Sequence, residues 1–161
     1  MNTAAAFIVL ALYVWHVGRS YRDIGQSYLR RFHIVPRNRW FNIYLHRYSG
    51  SDDDRALHDH PWRSVSFLLW GDLWEVARRY TYVLGEIPIS WTEQHEKIGW
   101  MRPKYRKATA AHRIVLISPR AWTLFLTGPV VRKWGFLCPH GWVPWQEFTD
   151  ETGNQIGKGC G

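Results

Sequence analysis

Leu57-His58-Asp59-His60-Pro61-Trp62 is the stretch that decides how the rest of the chain is read. In an extended strand alternate side chains share a face, so His58 and His60 project together while Asp59 points away. Two imidazoles side by side make half of a first-row metal site. Pro61 cannot continue an interior ladder and ends the strand just after the pair. The next residues, Ser64-Val65-Ser66-Phe67-Leu68-Leu69-Trp70, read as a second strand closed by Gly71-Asp72. Leu73 to Tyr82 reads as a third. With Gly71 and Asp72 as a two-residue hairpin turn, Leu68 pairs with Glu75 and Ser64 with Arg79. Both Glu75 and Arg79 then face inward, with Glu75 about 13 Å from the Ser64 level at roughly 3.3 Å per residue.

Further strands follow from composition and period: Phe41 to Tyr48, His112 to Ile117, Trp122 to Thr127 and Arg132 to Leu137. His112 shares a face with Ile114 and Leu116, where a third metal ligand has to be. Gly85 to Ile98 reads as an insertion or long hairpin. Ser49 to Asp54 reads as a polar loop, and Trp145 to Phe148 as a cap on the barrel. The basic run Arg102-Pro103-Lys104-Tyr105-Arg106-Lys107 has little aromatic interleaving and no recognition motif, so specific nucleic-acid binding is not expected. Cys138 and Cys160 form neither a metal motif nor a disulfide framework, which makes a reducing compartment the default. Cys138 near His140 lacks the third group that a thiol nucleophile needs.

The 161 residues suit one domain with a real core, and 11 Trp, 8 Tyr and 7 Phe favour sheets. A formal charge of +8 points to an acidic partner, be it nucleic acid, an anionic membrane or a small acid. Residues 1–18 carry no charged side chain and read as an apolar helix. Three readings stay open for it: a secretory signal lacking its basic start, a short membrane anchor, or a helix packed on the domain or on a partner protein. The anchor is preferred. The arginines that follow would leave the N-terminus outside and the barrel in the cytoplasm. Residues 19–38 then form a basic, helical or irregular connector, 39–148 the β-barrel and 149–161 a flexible, glycine-rich tail.

His58-Asp59-His60, three residues, Ser64, six residues and Gly71 reproduce the spacing of the first cupin motif, with Ser64 where that motif has glutamate. The second motif's Pro-x-Gly is replaced by Lys107-Ala108-Thr109-Ala110-Ala111 ahead of His112. His58-Asp59-His60-Pro61-Trp62, Trp122-Thr123-Leu124-Phe125-Leu126-Thr127-Gly128 and Trp134-Gly135-Phe136 together resemble a group of small cupin-like proteins of bacteria and phages, over about Trp40 to Phe148. The resemblance implies an all-β fold, a cupin-type double-stranded β-helix barrel (jelly roll), here with an N-terminal apolar helix. It also implies His58, His60 and His112 as ligands of a divalent metal ion (Fe, Mn, Ni or Zn), Arg79 and Glu75 as the candidate substrate-binding residues with Arg79 orienting an acidic group, and pairing of two copies through their sheets as a homodimer. Two functions are consistent with it. One is a metal-binding cupin acting on a small acidic molecule by oxidation, isomerisation or hydrolysis. The other is a non-catalytic cupin module that serves a larger complex, attached to membrane or protein through residues 1–18.

Overall fold

The structure is a computed structural model and describes residues 12–25, 27–52, 56–83, 87–153 and 155–161. Two antiparallel sheets face one another. The first contains, in spatial order, β1 (Tyr21–Ile24), β2 (Leu29–His33), β3 (Asn42–Tyr48), β10 (Ala121–Thr127), β5 (Ser64–Trp70) and β8 (Lys104–Arg106). The second runs β12 (Gly141–Pro144), β11 (Gly135–Cys138), β4 (Leu57–His58), β9 (His112–Leu116), β6 (Leu73–Val83) and β7 (Ile87–Lys97). Strict alternation of buried and half-buried residues in β3, β5 and β10 sends Tyr44, His46, Ser64, Ser66, Thr123 and Phe125 into the space between the sheets. That space is apolar at its two ends and polar between them. Leu29, Tyr48, Leu68, Leu73, Ile98, Ile114 and Ala121 close one end. Ala56, Phe136, Cys138 and Phe148 close the other, with the Phe136 and Phe148 rings stacked at 3.7 Å.

The strands expected from composition form, but one connection differs. Gly71-Asp72 is a corner between sheets and not a hairpin: β5 pairs with β10 and β8, whereas β6 pairs with β7 and β9. Gly71 has φ of +87°, and a Cβ there would lie 2.4 Å from the Arg120 carbonyl, so the corner requires glycine. The Leu68–Glu75 and Ser64–Arg79 pairs therefore do not exist. Glu75 lies opposite Ile114 on β9, and Arg79 opposite Thr92 on β7.

Residues 21–33, expected as part of a helical or irregular connector, are instead the β1–β2 hairpin, which extends the first sheet by pairing with β3. Asp23 and Arg30 face each other in its register, joined at 2.7 Å. Residues 12–19 are helical, and Tyr13 Oη donates to the Ile34 carbonyl at 2.8 Å. The remainder of the expected apolar helix, residues 1–11, lies outside the described residues. Among those described, no helix is long and apolar enough to cross a membrane.

The two cysteines correct another expectation: Cys138 and Cys160 form a disulfide, 22 residues apart in sequence. The tail is folded as well. Gly157 N and Gly159 N both donate to the Phe148 carbonyl, and Thr149 bridges Ile156. Closing a loop of that length removes denatured-state entropy worth about 3 kcal/mol. Cys160→Ser is expected to lower unfolding stability by that order and to expose the tail to limited proteolysis. Urea titrations with and without reductant check it, since reductant should leave the variant unchanged.

Candidate metal centre

The two central positions in the second sheet belong to the two-residue strand β4 and to β9, where His58 is registered against His112. The chain then leaves the sheet, with His60 N donating to the Ala108 carbonyl at 3.1 Å. Asp59, between the histidines, points away from them and is buried. It accepts from Gly135 N at 2.8 Å, from Trp142 Nε1 at 3.1 Å and from Arg132. That clamp fixes the backbone from which both rings project. One nitrogen from each of His58, His60 and His112 falls within 4.8 Å of the other two. Three residues separated by up to 54 positions thus converge on one point.

Behind His112 is a buried charge network. Glu75 and Arg106, 4% and 5% exposed, pair across the gap between the two sheets, Arg106 Nε donating to Glu75 Oε1. The same oxygen accepts from His112 Nδ1, and Oε2 accepts from Lys104 Nζ at 2.9 Å. Arg106 Nη1 also donates to Ser66 Oγ at 2.8 Å. Burial alone would raise the Glu75 carboxyl, but the His112 hydrogen bond and the Arg106 charge hold it below the usual carboxylate range. Burial, followed by the Arg106 charge, pushes His112 down to about 3. Burial and the two neighbouring histidines lower His60 well below its ordinary value. These rings are neutral at pH 7, the state in which imidazole binds a metal.

The tautomer of His112 follows from its neighbours. A carboxylate only accepts, so the ring proton sits on Nδ1 and Nε2 is a bare lone pair. It faces His60 Nε2 at 2.9 Å. Such a contact needs either a proton on His60 or a cation between the rings. At metal–nitrogen distances of about 2.1 Å, ligands at right angles lie roughly 3.0 Å apart, so the donor set fits a first-row divalent ion. Three imidazoles with a carboxylate oriented behind one of them leave coordination positions open toward a cavity of about 940 Å³.

His58, His60 and His112 are thus brought together, while the other two predicted residues lie elsewhere. Glu75 faces inward and touches His112 instead of the cavity space. Arg79 is exposed on β6, its Nη1 donating to Gln94 Oε1 at 3.3 Å. Sequence reasoning missed Arg106, which it left in an undifferentiated basic run. The signal was present: Lys104 and Arg106 are two apart and share a strand face, opposite the small residues Ser66 and Ser64. It also missed His46 on β3, which lies within the Asn42, Tyr44, His46, Tyr48 alternation and is 2% exposed.

No protein-family model matches the sequence, and no curated protein does. Solved structures match by shape. Oxalate decarboxylase from Bacillus subtilis, in a structure at pH 4.6, superposes with a TM-score of 0.51 and 12% identity, over 82% of this chain and 31% of its own. A second oxalate decarboxylase structure gives 0.50 and 13%, over 73% and 29%. Hydroxypropylphosphonic acid epoxidase from S. wedmorenis gives 0.48 and 10%, over 66% and 55%. The chain spans about a third of the length of the decarboxylases and about half that of the epoxidase. These are cupin-fold proteins, and the likeness to the decarboxylases at such low identity is one of fold: this chain folds as a cupin, with three histidines gathered between its sheets.

Proposed function

We propose that the chain is a metal-binding cupin that holds one divalent ion on His58, His60 and His112 and acts on a small molecule bound in the adjoining cavity. The observation that carries it is the convergence of three imidazoles, one of them with its tautomer set by Glu75. A bound ion would supply Lewis acidity, or a redox couple if it is iron or manganese. The chain's own residues would do the rest. His112 is held by Glu75, His58 and His60 by the Asp59 clamp, and Phe125 and Trp62 border the cavity beside His60. Oxidation, isomerisation or hydrolysis of a small acid suits such a centre, and oxalate decarboxylase, whose fold this chain shares, acts on a small acid.

One observation favours the second reading, a non-catalytic cupin module. Ser64 occupies the place of the motif's glutamate, and its hydroxyl is buried with no hydrogen-bond partner. Metal analysis separates the two. Full-length protein purified without chelators is expected to carry about one equivalent of a divalent metal, lost in His58→Ala/His60→Ala. Chelation should lower the unfolding temperature by about 5–10 °C, as removal of a ligand at a hundredfold excess over its Kd does in a domain of this size. Metal-free wild-type protein that folds stably would favour the module.

A further inference from the structure

Across the cavity from the histidine cluster, the wall is built by the arginine-rich hairpin. Arg31 on β2 is registered directly opposite His46 on β3, and its Nε donates to His46 Nε2 at 3.0 Å. Its guanidinium lies over the Tyr44 ring at 4.8 Å. Among the described residues no carboxylate pairs with it, in contrast to Arg30, Arg106 and Arg132, each of which has its acid. Arg31 is half-buried, and drawing a guanidinium partly out of water without an anion carries a cost that a bound anion would offset. Burial lowers the basicity of Arg31 accordingly, yet a guanidinium stays charged at any working pH.

His46 carries a second unanswered donor. Arginine cannot accept a hydrogen bond, so His46 Nε2 is the acceptor and the proton of the neutral ring is on Nδ1. That N–H is buried and has no partner. Burial, with the Arg31 charge beside it, keeps the ring neutral. A cation with free N–H groups and an orphaned imidazole N–H therefore line the same cavity. Both call for oxygen acceptors. The rest of the wall agrees in sign: Arg22, Arg37 and Lys133 line it, against a single carboxylate, Asp52.

We infer that Arg31, positioned by His46 and Tyr44, binds the oxyanion of a small carboxylate or phosphoryl ligand whose other end faces the three histidines. A planar guanidinium presents parallel donors that match the two oxygens of either group. The two ends of the cavity are close. One ring, Phe125, stacks on His46 at 4.8 Å and stands 6.4 Å from His60. The ligand is accordingly short, a few atoms between its acid group and its metal-facing end. This inference takes the histidine cluster as the reactive end of the cavity, but the subsite itself needs no metal.

Binding of malonate and of inorganic phosphate to the chelator-treated full-length chain, followed by calorimetry, tests it. Saturable binding of at least one is expected, with the tighter of the two showing whether the subsite favours carboxylate or phosphoryl oxygen. Arg31→Gln should weaken that binding tenfold or more, and Arg79→Gln should leave it unchanged. His58→Ala/His60→Ala should retain it, so loss of metal and loss of the anion are read separately. Should Arg31→Gln fail to fold, phenylglyoxal labelling of the wild-type chain replaces it, with the bound anion expected to protect Arg31. Wild-type protein that binds neither anion, Arg31→Gln binding within twofold of wild type, or Arg31 labelled equally with and without anion would overturn the inference.

Discussion

Glu75→Gln is expected to destabilise the metal-free chain by about 3–5 kcal/mol and to weaken divalent-metal affinity by roughly 10- to 100-fold. The substitution preserves shape and removes only charge, so both losses have electrostatic causes. Arg106 is 5% exposed and its strongest partner is this carboxylate, so the neutral amide leaves a buried guanidinium without an anion. Lys104 loses one of its two acidic partners and keeps Glu96. An amide also has one acceptor where a carboxylate has two. Three donors now converge on it, from Arg106, Lys104 and His112, so its NH₂ group must meet at least one of them. With its oxygen in the place of Oε1 the amide offers His112 only a neutral acceptor shared with Arg106, so the Nδ1 proton and the Nε2 lone pair facing His60 are held less firmly. Urea unfolding in chelator reads the first effect, and competition against a chromogenic chelator the second. Pairing Glu75→Gln with Arg106→Met should recover part of the stability, because the orphaned charge disappears, but none of the metal affinity. An affinity that returned with the double variant would mean that His112 needs no partner.

The same network shows what was legible in the sequence and what was not. Strand alternation alone put His58 and His60 on one face and His112 among inward residues, because a period of two does not depend on which strand lies alongside, whereas Glu75 was turned inward only through an assumed hairpin register. Partners were another matter. A Gly-Asp step that reverses a strand within one sheet and one that carries it to the facing sheet have the same local signature, since positive φ at Gly71 serves both. Choosing the hairpin placed Arg79 inside and left Glu75 without its histidine. The difference lies in tertiary packing, in the close approach of the Arg120 carbonyl to Gly71. Arg31 was illegible for a related reason: it sits on a strand whose pattern of arginines resembles a solvated connector, and only pairing with β3 turns one of them inward. The disulfide was invisible because two cysteines at a spacing of 22 carry no geometric information.

Acid is expected to unfold the metal-free protein in a range where most domains are stable. His46 and His112 are 2% and 4% exposed, and burial holds both rings neutral far below the ordinary imidazole value. In the unfolded chain each takes up a proton near pH 6.5. Below that pH the unfolded state therefore binds more protons than the native one, and stability falls as pH falls. The window opens at about 6.5 and, for His112, runs down to about 3. Each ring contributes up to about 1.4 kcal/mol per pH unit within it, so these two remove about 4 kcal/mol between pH 7 and pH 5. His60, also lowered, acts in the same direction. Glu75 adds its share only further down: its folded value is depressed, so the stability it gives is present above pH 4.5 and is lost as pH falls below. A net stability of roughly 5–15 kcal/mol is typical of a domain, so a loss of this size brings the transition near pH 5. Urea midpoints measured from pH 7 to pH 5 in chelator read the slope. His46→Gln removes one titrating ring and keeps an acceptor for Arg31, and should flatten the slope by about 1.4 kcal/mol per unit. Bound metal should blunt it further, because protons and metal compete for the same lone pairs. A slope that stays flat between pH 7 and pH 5 in the metal-free wild type would mean that the rings take up protons in the folded state, and neutral imidazoles aimed at a cation would no longer describe the cavity.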